Sequence, residues 1–120
     1  MSIETDFRAL LAGYAGLTAL VGTRIAFNAV PDGSAFPLVV FGASHARSLG
    51  INNSLQADQC TLLVMCWAET PVQADAVADQ VVAAVATAPA SAGAVVLERS
   101  GAFDAELGLD GVQITVEWWA

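Results

Sequence analysis

The chain has 120 residues, 56% of them hydrophobic and only 13% charged, with 12 acidic side chains against 4 basic ones and a net charge of −8. That length fits one domain over residues 1–120 with a core of its own, and so few charges to cover its outside point to surface buried against other chains. The charge pattern excludes a grip on nucleic acid: Arg8, Arg24, Arg47 and Arg99 stand singly, lysine is absent, and no basic patch exists to release counterions from a phosphate backbone.

Ser2 caps a first helix, with Glu4 and Asp6 near its positive end. Ile3, Phe7, Leu10, Leu11 and Tyr14 give it one apolar stripe, and Gly13 and Gly16 end it. Leu17, Leu20 and Val21 suit a further helical turn, broken at Gly22, and Arg24 to Val30 reads as a short strand. The stretch "VPDGSAFP" is a loop, because Pro31 and Pro37 cannot sit in a central strand. Residues 38–47 and 58–68 form a hairpin. Its turn, "SLGINNSLQA", has Gly50 and the pair Asn52-Asn53 for left-handed backbone. Three apolar residues, Leu49, Ile51 and Leu55, stand at this otherwise exposed tip and are interface candidates.

The clearest helix is 70–87, with Thr70 as cap, Pro71 in first position and Gln73 completing a capping box. Ala74, Val77, Ala78, Val81 and Val85 make its buried stripe, while Asp75 and Asp79 face outward. Strands 94–103 and 111–119 follow, joined by an acidic turn. In the last strand Val112, Ile114, Val116 and Trp118 share one face, and Gln113, Thr115, Glu117 and Trp119 the other. Trp119, an aromatic on the polar face, is the fourth interface candidate. The predicted fold is α+β: a mostly antiparallel sheet of about five strands, two helices on one face and a long hairpin, in the order α-β-β-β-α-β-β.

Strand 58–68 is apolar on both faces: Leu62, Val64 and Cys66 on one, Leu63, Met65 and Trp67 on the other. Helices cover one face. The other is covered by the C-terminal hairpin folding over it or by another subunit.

The same strand carries both cysteines. Cys60 and Cys66 have the same parity but lie about 20 Å apart along a strand, too far for a disulfide or a shared metal. They read as buried packing residues. His45 has Ser44 beside it on the opposite face, and Asp58 could approach across the hairpin, but no nucleophile completes a triad. Asp104, Glu106 and Asp110 cluster in one turn without the spacing of a calcium loop. Neither a phosphate loop nor a dinucleotide fingerprint is present. These residues support no enzyme, cofactor or metal site. No apolar run reaches membrane-spanning length, and Glu4 and Asp6 are not the charge pattern of a secretory leader. The chain is therefore expected in the cytoplasm, with reduced thiols.

The order of blocks is similar to the small tail-completion, or tail terminator, proteins of long-tailed bacteriophages and gene-transfer particles. The likeness runs from "SIETDFRALLAG" and "LTALVGTRI" through "FPLVVF" to "VQITVEWWA". It is most specific at "VMCWAETPVQADAVADQVVAAV", a strand ending in Trp67, a capped turn and an Ala/Val-rich helix. The resemblance implies a structural virion protein, made in the host cytoplasm. It would form a homo-oligomeric ring, commonly a hexamer, at the head-proximal end of the tail. Its partners would be itself, the tail tube protein and the head connector or stopper. DNA would pass through the lumen without specific binding, and no membrane would be involved. Two alternatives stay open: a head-completion or adaptor protein of the neck, and a small cytoplasmic ligand-binding or thiol enzyme.

Overall fold

A computed structural model of the chain describes residues 3–27, 35–49, 55–88, 93–106 and 108–119, with the hairpin end (45–49 and 55–59), Ile3 and Trp119 described as backbone. The elements are α1 (Ile3–Ala12), α2 (Ala15–Val21), β1 (Ile25–Phe27), β2 (Leu38–Leu49), β3 (Leu55–Ala68), α3 (Pro71–Ala86), β4 (Val95–Asp104) and β5 (Leu109–Trp119). The predicted α+β class and order hold, with one addition: the second helical turn is a helix in its own right. Its Leu17 and Val21 are buried, and Gly22 ends it at φ 59, a left-handed conformation that glycine adopts without a Cβ clash. The Gly22 N–H donates to the Thr18 carbonyl at 2.8 Å. Ser2, the expected cap of α1, lies outside the described residues, as do 28–30 of the strand expected over 24–30.

Helix α3 follows its sequence signals closely. Thr70 is extended at φ −133 and its hydroxyl accepts from the Gln73 N–H at 3.2 Å, with Pro71 next in line. The return bond of the capping box differs: the Gln73 Oε1 accepts from the N–H of Glu69, one residue ahead of the cap, at 3.4 Å. Every residue of the predicted stripe is buried, and Ala84 joins it.

The five strands form one mixed sheet in the order β1-β2-β3-β5-β4. Only β1 runs parallel to its neighbour; the other pairs are antiparallel. The C-terminal strands therefore widen the sheet and do not fold over it. Because paired residues share a face, the register sorts the side chains into rows. Ile25, Val39, Cys66 and Val112 make one row, and Phe41, Val64 and Ile114 the next. Both rows are buried beneath the helices. Phe7 of α1 seals this layer with edge-on contacts to Phe41 and Trp118, ring centroids 5.1 and 5.8 Å away. Among the described residues no charged or polar side chain is buried.

The paired strands of the hairpin are longer than the sequence suggests. Strand β2 has 12 residues and β3 has 14, so pairing continues to Leu49↔Leu55, with an irregularity after Arg47. Both Leu49 and Leu55, read as turn residues, are in strand; Ile51 lies outside the described residues. Strand β5 accompanies β3 only as far as Gln59↔Trp119. Beyond that point β2 and β3 pair with each other alone among the described residues, and the molecule extends to 51 × 29 × 24 Å.

Candidate interaction surfaces

The rows between the buried ones lie on the second face. Leu38, Trp67 and Gly111 form one, then Val40, Met65 and Gln113, then Gly42, Leu63 and Thr115, then Ser44, Thr61 and Glu117. No described helix packs there. Leu63 is 45% exposed, and Val40, Met65 and Trp67 are half-buried. One local patch is tight: a Cβ at Gly111 would stand 2.7 Å from the Trp67 ring, so glycine is what lets the indole lie flat on β5. Leu38 and Leu109 are buried outside the main core cluster. The sequence prediction that β3 needs cover on both faces thus meets a definite answer: this chain's described residues cover one.

The two edges of the sheet differ. At β1, the Arg8 Nε donates to the Ile25 carbonyl at 3.3 Å and the Arg24 Nε to the Pro37 carbonyl at 2.8 Å. At β4, Val95, Leu97 and Phe103 are exposed by 51, 54 and 63%. Arg99 ties β4 to α3, reaching Asp79 at 2.7 Å and Asp75 at 3.4 Å. Both carboxylates raise its pKa, the Asp79 hydrogen bond most. A long edge strand with apolar side chains is a ready template for pairing.

Of the candidates read from the sequence, Leu49 and Leu55 face each other at the far end of the two-stranded extension. Trp119 lies opposite Gln59 at its base. The structure therefore sets Leu49 and Leu55 together, with Trp119 apart from them. The exposed side chains of β4 were missed. Val95 and Leu97 sit in a short run broken by a bulge, so alternation gives no face for them.

The residues with chemical potential are dispersed. Cys60 and Cys66 are free and buried on the helix side of β3. Burial pushes the Cys66 thiol up to about 12, slightly opposed by Arg99. Burial also raises that of Cys60, and the Glu4 charge adds to it. Neither is a thiolate at neutral pH, so neither is a ready nucleophile. His45 pairs with Cys60 across the hairpin and Asp58 with Arg47, so the expected approach of Asp58 to His45 is offset by two positions. In the acidic turn the Asp104 carboxylate accepts from the Glu106 N–H at 3.0 Å, a local turn bond. No group of three His, Cys, Asp or Glu among the described residues could hold a metal ion. No described helix is long and apolar enough to cross a membrane.

With the geometry in hand, similarity to known proteins decides the family. The family model described as "Tail completion protein gp17" matches residues 5–120. The chain belongs to that family. No curated protein matches the chain. Among solved structures, a chain of the "Virion of native gene transfer agent (GTA) particle" is similar in fold, with a TM-score of 0.78 and 18% identity. The match covers 98% of this chain and 93% of that one. As a tail completion protein the chain is a structural component of the virion tail. Its residues of interest are therefore the surfaces it offers other proteins.

Proposed function

We propose that this tail completion protein forms a homo-oligomeric ring of six copies at the head-proximal end of the tail tube. There it ends tube growth and joins the tail to the head connector, with DNA passing through the lumen. The observation that carries this reading is the uncovered face of the sheet. Strand β3 is as apolar there, through Leu63, Met65 and Trp67, as on the side that α3 covers. Other copies, the tube protein or the connector are what it is built to meet. The net charge of −8 keeps the lumen from binding the DNA that crosses it. Membership of a family of virion tail proteins supports a structural role.

The end of the hairpin is the proposed contact with a neighbouring subunit or the tube. Two strands alone are marginal in water, so an extension of this kind gains from lying against a partner. Leu49 and Leu55, with Ile51 between them in sequence, would make that contact, and Trp119 would anchor its base. Removing residues 48–56 is expected to abolish particle assembly while the domain keeps its thermal unfolding transition; normal particles would overturn this role. Electron microscopy of particles locates the chain. A position between tube and connector supports the terminator role. A position inside the neck alone would make it an adaptor.

A further inference from the structure

We propose that copies of this chain join edge to edge, with Phe103 of one copy entering a cavity beside β1 of the next. This rests on the ring reading and names the surfaces that would close the ring.

The cavity has a volume of about 310 Å³ and is lined mainly by Arg8, Arg24, Ile25, Leu38 and Val39. Its floor is apolar and its rim carries two of the chain's four cations. Among the described residues neither guanidinium forms an ion pair. Their bonds go to the backbone carbonyls of Ile25, Pro37 and Leu20. Although the chain has three acids for each base (12 against 4), these two cations have no carboxylate partner among the described residues. Acidic side chains stand at the opposite edge. Phe103, 63% exposed, is followed directly by Asp104 and then by the exposed Glu106. An aromatic ring flanked by carboxylates matches an apolar cavity flanked by guanidiniums in size, polarity and sign.

The register supplies the geometric argument. Leu38 pairs with Trp67, Trp67 with Gly111 and Gly111 with Ala102, so one row crosses the sheet from the cavity to the residue beside Phe103. Cavity and ring stand at the same height on opposite edges, about 19 Å apart across five strands. Two unlike patches at equal height can meet head to tail without a shift along the strands, and such a contact closes into a ring where the rotation between copies allows it. The same rows put Val95 level with Ser44, beyond the end of β1, where β2 has no outer neighbour among the described residues. Strand-to-strand addition at β1 itself is disfavoured, because Arg8 already occupies the Ile25 carbonyl. Side-chain insertion is the mode left.

The test uses cysteine pairs in assembled particles. Thr23, at the cavity, and Glu106 are both exposed, and the native thiols are buried. Particles carrying Thr23→Cys with Glu106→Cys are expected to give a ladder of cross-linked multimers with a short bismaleimide, and neither single variant is. Phe103→Asp is expected to weaken self-association of the purified chain by roughly thirtyfold or more, the loss typical of a central interface residue, with its melting temperature unchanged. Arg24→Glu should do likewise, and adding Glu106→Arg should restore it. Multimers in the particle with no ladder, although both thiols label, overturn this interface and leave the ring standing. A single copy per particle overturns both.

Discussion

The two faces of β3 are nearly equal in apolar content and opposite in fate. On one, Leu62, Val64 and Cys66 are fully buried under α1 and α3; on the other, Leu63, Met65 and Trp67 remain partly exposed. Hydrophobicity alone therefore does not say where a core is. One face is covered within the chain and holds the fold together. The other has no described helix over it and keeps Leu63 exposed, with Val40, Met65 and Trp67 half-buried.

The widest separation of the faces comes from truncating each in turn. Leu62→Ala is expected to cost about 2–5 kcal/mol, because it opens a cavity in a packed layer. Leu63→Ala, one residue along, should cost below about 1 kcal/mol by denaturant unfolding yet weaken particle assembly. Equal costs would mean that both faces belong to the monomer's core. Next in size is Gly111→Ala, where the new methyl meets the Trp67 ring. A loss of about 1–3 kcal/mol is expected, with a shift in tryptophan fluorescence; a neutral result would show that Trp67 moves freely on its face. The buried side also has a pH signature. Cys66 keeps its proton up to about 12 when folded, against 9.0 when unfolded. Between those values the unfolded chain holds fewer protons, so stability should fall with rising pH, by up to about 1.4 kcal/mol per pH unit. Below pH 9 this contribution is flat, and Cys66→Ala should remove it, leaving the part of the slope that the raised Cys60 thiol contributes. The smallest effect is expected at the exposed rim of the helix side: Arg99→Gln, which releases Asp75 and Asp79, should cost about 0.2–1 kcal/mol and less at high salt.

What could be read from the sequence follows from how local its causes are. The cap of α3 and its stripe are set by neighbours within one turn, and β5 alternates because one of its faces is buried throughout. Both were legible residue by residue. The pairing of β1 was not, since three residues in a parallel pair leave no periodic trace. The extent of the hairpin was hidden by Gly50 and the Asn pair, whose turn preference masks strand on either side. The open face was legible as a question, because β3 is apolar on alternate residues in both phases. Its answer depends on sheet order, which sets β5 beside β3 and so places the last hairpin in the sheet's plane. The exposed apolar residues of β4 gave no signal for the same reason: an edge is a property of order, not of composition.

That order also bears on when the domain can form. Val64 and Ile114 are paired neighbours at the centre of the sheet and stand 50 positions apart along the chain. During synthesis β3 leaves the ribosome with β2 on one side and nothing on the other. Helix α3 and β4 emerge before β5 arrives, and β5 must slot between two strands already made. The sheet is fastened from its middle by its last-made strand. Until then the most apolar segment of the chain waits with a bare edge, the stage at which pairing with other copies is easiest.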